Sequence, residues 1–192
     1  MQKLSGVQVR LESLSHAHAS DLWKNTGGDS ELWKWVLVKF PIPTSESEMK
    51  DLISKMLAES GTREAFVVID LRSGEAVGST SYLDIHPELK ALEIGSTFYG
   101  EAARRTHINT EAKLLLLTEA FEARGCERVA LKADNLNERS LRAMERIGAK
   151  REGVLRKHQL RRDGSLRDTV YFSIIKSEWP EVKANLLSKL AN

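Results

Sequence analysis

Cysteine is almost absent. Cys126 is the single one among 192 residues, which excludes an internal disulfide and any metal clip built from paired cysteines. A lone thiol placed after a glycine at the end of a helical pattern reads as a small packing residue rather than a nucleophile, and such sparing use fits a reducing compartment. Long apolar runs are missing too. Nothing approaches the roughly 18 residues of a membrane span, and MQKLSGVQVRLESLS holds no apolar stretch long enough for a signal peptide, so a cytoplasmic setting away from membranes is expected. The chain contains neither GxxxxGK followed by Ser or Thr nor GxGxxG, which removes the common nucleotide loops. His86 and His107 have no partners at ligand spacing, so no metal is expected. With no repeat, low-complexity segment or Gly/Ser linker, residues 1–192 read as one domain.

An excess of one charge is lacking as well. The formal net charge is +2, with 29% charged and 41% hydrophobic residues, an ordinary soluble balance that does not by itself imply nucleic acid. Only KREGVLRKHQLRRDGSLRD, residues 150–168, is biased, with seven Lys/Arg against three Asp/Glu. A solvated hairpin and a surface for acidic partners or phosphates both satisfy that bias. No aromatic residues interleave with the charge, so direct nucleic-acid binding is not expected.

What is present alternates. VQVRLESL at 7–14 has the period-two pattern of a half-buried strand. Ser15 can cap a helix through HAHASDLWKN that ends at Gly27-Gly28. A short aromatic segment, 30–39, carries Trp33 and Trp35 before Pro41 and Pro43. Thr44 or Ser45 can cap a helix with Met49, Leu52, Ile53 and Met56 on one face. AFVVIDLRSGEAVGSTSYLDI reads as a hairpin turning at Arg72-Ser73-Gly74, and ALEIGSTFYG as a strand whose interior Gly95 marks a bulge or close approach. A helix from about Asn109 to Arg124 stops at Gly125. CERVALKAD is a strand, LNERSLRAMERIG a helix, REGVLRKHQLRRDGSLRDTVYFSII a hairpin turning near Asp163-Gly164, and WPEVKANLLSKLAN a closing helix with Pro180 in its first turn. The order predicts a mixed α+β protein around one central strand–turn–helix unit.

That unit is the first candidate site. A helix N-terminus presents amides without intrahelical partners and partial positive charge, which favours an anion. Arg104 and Arg105 add full charges, while Thr106, Asn109 and Thr110 add short-range polar groups. Phosphate, a diphosphate above all, suits such a turn; mere helix capping also accounts for it.

The chain resembles the GNAT acyl-CoA N-acyltransferases, in the branch like the RimJ/RimL ribosomal-protein N-terminal acetyltransferases. The resemblance spans nearly the whole chain and rests on VRLESLS, GEAVGSTSYLDI, LEIGSTFY, RRTHINTEAKLLLLTEAFEARG, LKADNLNERSLRAMERIGAKREGVLR and RDTVYFSIIKSEWP. It implies a mostly antiparallel twisted sheet flanked by helices, acetyl-CoA as co-substrate, and direct transfer to a primary amine, foremost a protein or peptide N-terminal α-amine. In the family's phosphate turn, Q/R-x-x-G-x-G/A, Arg104 takes the first position, His107 the first glycine and Asn109 the second. Two glycines are therefore missing, a departure the turn tolerates if neither position needs a positive φ. The resemblance assigns cofactor binding to Ser96, Thr97, Phe98, Arg104, Arg105, Thr106, His107, Ile108, Asn109, Thr110 and Asn137.

For chemistry, it implies Glu93 as a base acting through a water and Ser140 as the proton donor toward the thiolate, because Met144 stands where many members have a tyrosine. An α-amine, with pKa near 8, asks less of such a base than a lysine near 10.4. Trp33 and Trp35 on one side, and His158 and Arg161 on the other, would wall the acceptor. A homodimer through exposed strands or helices is in keeping with the resemblance. A small amine as acceptor, or an acyl-CoA sensor without catalysis, are the readings left open.

Overall fold

The computed structural model describes residues 3–36, 39–59 and 61–191. Leu37 and Val38 of the aromatic segment, and the expected helix ends Ser60 and Asn192, lie outside these. The chain opens with β1 (Lys3–Ser5) and β2 (Val9–Ser13), not with one strand starting at Val7. Residues 6–8 instead form a turn in which Val7 is 87% exposed. The cause lies far away in sequence: the Glu111 carboxylate accepts the amides of Val7 and Gln8 at 2.7 and 2.9 Å.

Helices α1 (Ala19–Thr26), α2 (Ser30–Trp33) and α3 (Glu46–Ala58) follow. Of the two capping candidates for α3, Ser45 is the N-cap, accepting from the Glu48 amide at 3.2 Å. The Glu48 carboxylate reaches back to the Thr44 amide at 2.7 Å. Next come β3 (Arg63–Asp70), β4 (Ala76–His86) and β5 (Ala91–Tyr99). Helix α4 (Ile108–Thr118) runs into a π-helical turn at 119–123 and ends near Gly125. The remainder is β6 (Arg128–Asp134), α5 (Glu138–Arg146), β7 (Lys150–Leu160), β8 (Leu166–Ile175) and α6 (Trp179–Ala191).

Among the described residues the strands form one eight-stranded sheet in the order β1-β2-β3-β4-β5-β6-β8-β7. Every neighbouring pair is antiparallel except β5 and β6. The run FVVI in β3 shows how helices come to cover both faces. Phe66 and Val68 point into one apolar cluster with Leu116, Leu117, Trp179 and Leu186. Val67 and Ile69 point into the other, with Leu22, Leu32, Met49 and Ile53. Period-two geometry thus places α1–α3 on one face and α4 and α6 on the other. The buried Tyr82 hydroxyl ties the sheet to α4, donating to the Leu116 carbonyl at 2.6 Å. Cys126 is 5% exposed within the first cluster, the packing role its context implies. The basic edge strand β7 is exposed along almost its whole length, and its Lys and Arg side chains discourage edge-to-edge pairing.

Candidate active site

The one parallel contact in the sheet is short, and the site follows from that. β5 and β6 pair only at Ala91↔Arg128, Leu92↔Val129 and Glu93↔Ala130, yet β5 continues to Tyr99 and β6 to Asp134. The two strands fork, and a cleft of about 1480 Å³ opens between them. That exceeds the ~300–1,000 Å³ of most small-molecule pockets, so the cleft has room for more than one small reactant.

Glu93 sits at the apex, 4% exposed. Two residues past the fork on β6, Lys132 reaches back to its carboxylate at 2.7 Å and lies 3.6 Å from Asp84. Burial raises the Glu93 pKa and outweighs the ammonium that opposes it. At Lys132, burial favours the neutral amine, but the Glu93 carboxylate prevails and its pKa is raised. The difference follows from depth, since the carboxylate is the more deeply buried partner.

The β5–β4 ladder is broken beside the fork. Ser79 pairs with Phe98 and Ser81 with Gly95, which leaves Thr80 opposite both Ser96 and Thr97. The bulge the sequence places at Gly95 therefore lies one residue on, with Ser96 at φ +47°. Gly95 serves the second purpose, close approach. A Cβ there would lie 2.7 Å from Glu93 Oε1 and 2.8 Å from Leu83 Cδ1. Both are ends of flexible side chains, so Gly95→Ala should fold and shift the carboxylate. We expect kcat/KM to fall up to about a hundredfold, the cost of an ångström-scale misplacement, with little change in Tm. Unaltered kinetics in a folded variant would show that the carboxylate's position is unimportant.

The turn before α4 departs from expectation in an instructive way. His107 has φ −70°, and the positive φ falls on Arg105 at +59°, so neither missing glycine is needed. Arg105, Thr106, His107, Asn109 and Thr110 all line the cleft. Arg104 lines it too, but its guanidinium is largely committed: Nε donates to the Tyr99 carbonyl at 3.0 Å and Nη2 pairs with Asp29, the N-cap of α2. Thr106 Oγ1 is occupied by the Ala103 carbonyl and the Ile108 amide. The Ile108 side chain is in the core, 3% exposed, so only its backbone could meet a ligand. Cationic lining that the turn alone does not announce comes from α5: Arg139, Arg142 and Arg146. Arg146 donates to Thr110 Oγ1 at 3.0 Å and so joins α5 to the start of α4.

Asn137 caps α5, its Oδ1 accepting the Ser140 amide at 3.1 Å. The half-buried side chains of Ser140 and Met144 line the cleft from that helix. Two of the expected acceptor-wall residues, Arg161 and His158, are placed elsewhere. Trp33 borders the cleft but is 2% exposed, with its indole N–H on the Thr26 carbonyl, so it serves as packing beneath the wall. Phe98 lies against its ring at 5.4 Å and also lines the cleft. Arg161 clamps Asp134 through Nε and Nη2 at 2.7 and 2.9 Å, pinning the β7–β8 turn. His158 meets Thr169 Oγ1 at 3.1 Å and is not part of the cleft lining. Trp35 does line it, half-buried.

Beyond the three arginines of α5, the structure adds Lys132, Gln159, Arg167 and Lys113 to the cleft's chemistry. Lys113, 6% exposed, donates to Thr97 Oγ1 at 3.0 Å, and Thr97 Oγ1 lies 2.8 Å from Thr80 Oγ1. Burial pushes its pKa down to about 7. A lysine on the apolar face of AKLLLL was its only sequence signal. Among the described residues no group of three or more His, Cys, Asp or Glu could hold a metal, and no helix is long and apolar enough to cross a membrane.

Residues 8–150 match the acetyltransferase (GNAT) domain family. No curated protein matches the sequence. Among solved structures, a GCN5-related N-acetyltransferase from Brucella melitensis is 30% identical with TM-score 0.90, the match covering 97% of this chain and 84% of that one. A T. thermophilus protein provisionally named an acetyltransferase is 37% identical with TM-score 0.89, over 99% and 97% of the two chains. Mycobacterium smegmatis RimJ, solved in complex with CoA-disulfide, shares the fold at 20% identity and TM-score 0.84, over 98% and 94%. The forked sheet, its buried carboxylate and these likenesses agree: the chain belongs to the GNAT family of acetyltransferases, which use acetyl-CoA to acetylate an amine.

Proposed function

We propose that this enzyme acetylates the α-amine at the N-terminus of a peptide or protein. The observation that carries the reading is the Glu93–Lys132 pair, 2.7 Å apart at the fork. A carboxylate raised by burial but held in check by an ammonium is a modest base. It suits an acceptor already partly neutral near pH 7, as an α-amine is and a lysine side chain is not.

The remaining roles follow from position. The first amides of α4, with Arg105, Arg139, Arg142 and Arg146, face the region where a diphosphate would be neutralised. The unpaired edge of β5 around Ser96 and Thr97 offers backbone groups to the amides of the pantetheine arm and to the thioester oxygen. Asn137 borders the same arm. Glu93 takes the proton of the attacking nitrogen through a water, the C–N bond forms as the C–S bond breaks, and the Ser140 hydroxyl, which lines the cleft from α5, returns a proton to the thiolate. The RimJ fold bound to a CoA derivative supports this use of the cleft.

Thiol release from acetyl-CoA, measured with peptides beginning in Ala, Ser, Thr or Met and with polyamines, free amino acids and aminoglycosides, tests the acceptor. Release with peptides, and an acetyl mass on the α-nitrogen, is the expected result. Release with small amines alone would replace the acceptor class, and proven acetyl-CoA binding without release would point to a sensor.

A further inference from the structure

Three buried side-chain polar atoms among the described residues have no hydrogen-bond partner: Tyr99 Oη, Gln159 Oε1 and Arg167 Nε. All three residues line the cleft. Leaving a donor or acceptor buried and unpaired costs about 1–3 kcal/mol each, so a set of them in one cleft calls for a complementary ligand. Two of the three form a unit. Gln159 on β7 and Arg167 on β8 are direct cross-strand partners, so their side chains leave the same face of the sheet side by side. One offers an acceptor, the carbonyl oxygen of the glutamine; the other offers a donor, the guanidinium N–H.

Resting on the reading that the acceptor is an N-terminal amine, we infer that Gln159 and Arg167 form a reader for the acceptor's first peptide group. Because the N–H and C=O of a trans peptide point in opposite directions, the group lies between the two side-chain ends, its N–H donating to Gln159 Oε1 and its C=O accepting from Arg167 Nε. The substrate class is thereby narrowed to amines that carry an amide on the next carbon, as every peptide N-terminus does, and free amino acids are disfavoured.

The acceptor atom of the pair argues for an amide over a carboxylate. Arg167 is 8% exposed, and burial lowers its pKa while Asp134 and Glu93 offset that in part. A carboxylate would set one of its oxygens against Gln159 Oε1, whereas an amide offers that atom an N–H. The pair also faces the right place, since Glu93, Lys132 and Asp134 line the same cleft. An amine directed to Glu93 can place its neighbouring peptide group on the β7–β8 wall.

The test compares alaninamide, alanine methyl ester and free alanine as acceptors, with the enzyme saturated in acetyl-CoA. The ester keeps the carbonyl and loses the N–H. With each rate referred to the unprotonated fraction of its amine, alaninamide should exceed the ester in kcat/KM by about tenfold, one buried hydrogen bond, and exceed alanine by more. Gln159→Leu should bring the amide-to-ester ratio close to one, and Arg167→Met should lower both substrates together. Equal rates for the three acceptors, or a preference for free alanine, would overturn the inference while leaving acetylation of amines intact. Side-chain NMR of Gln159 Nε2 and Arg167 Nε in the CoA-saturated protein gives a readout that needs no turnover. Both signals should shift when an Ala-starting peptide is added. If they stay still, the reader is wrong even where no acceptor is acetylated; if they shift without turnover, it is the proposed activity that fails.

Discussion

Glu93→Gln is expected to lower kcat/KM by about two to four orders of magnitude, the usual worth of a general base, and to change the shape of the pH profile. In the wild type both the acceptor amine and Glu93 must lose a proton, so the logarithm of kcat/KM should fall with a slope approaching about 2 below both pKa values, and about 1 in the variant. Burial sets the Glu93 pKa above the ordinary carboxylate value and Lys132 restrains it, so Lys132→Met should move the Glu93 limb to higher pH. Stability carries the matching sign. A carboxyl whose folded pKa is raised favours the folded state below its unfolded pKa, and that contribution is lost as pH rises through the folded one. Glu93→Gln alone also leaves the half-buried Lys132 with Asp84, 3.6 Å away, as its remaining carboxylate, at a cost below the roughly 3–5 kcal/mol of a fully unpaired buried charge. The double variant Glu93→Gln/Lys132→Met removes that complication. If it folds and regains wild-type turnover, Glu93 holds the fork together and does no proton chemistry.

Local pattern was enough for most of the frame, because capping, turn and periodicity signals are local. Ser45, Gly74, Gly125 and Gly164 stand where the turns and caps require them, and the helix at RRTHINTEAKLLLL lines the cleft as its arginines and polar N-terminus implied. What escaped was set by distant partners. Val7 reads as strand, yet Glu111 of α4, 104 residues on, pulls it into a turn. Arg104 reads as an anion ligand, yet Asp29, 75 residues away, takes it. On the acceptor wall the difficulty is register. The basic hairpin points to His158 and Arg161, whereas Gln159 faces the cleft: a one-residue slip exchanges the two faces of a strand and accounts for His158, while Asp134 takes Arg161. β7 breaks its pairing between Leu155 and Gln159, with Lys157 at φ +50°, so alternation counted along the sequence could not carry through. The fork itself is invisible to local reading, because it consists of pairing that stops.

Lys113→Met is expected to stabilise the protein at neutral pH, and the gain should shrink as pH rises. The ammonium is 6% exposed, it donates to Thr97 Oγ1 at 3.0 Å, and burial lowers its pKa from 10.5 to about 7. A base with a depressed folded pKa binds fewer protons in the folded than in the unfolded state between those two values. Stability therefore rises with pH across that window, by at most about 1.4 kcal/mol per unit. Relative to Lys113→Met, the wild type should gain on the order of 2 kcal/mol between pH 7 and 9, read as converging urea midpoints. Thr97→Val separates the hydrogen bond from the charge. It should lower stability and leave most of the pH slope in place, because the slope comes from burial. A constant difference between wild type and Lys113→Met from pH 7 to 9 would mean that the amine keeps its proton and that water reaches it. In that case the cleft between α4 and the β5 bulge is wetter than its packing implies, and Thr97 would be one partner among several.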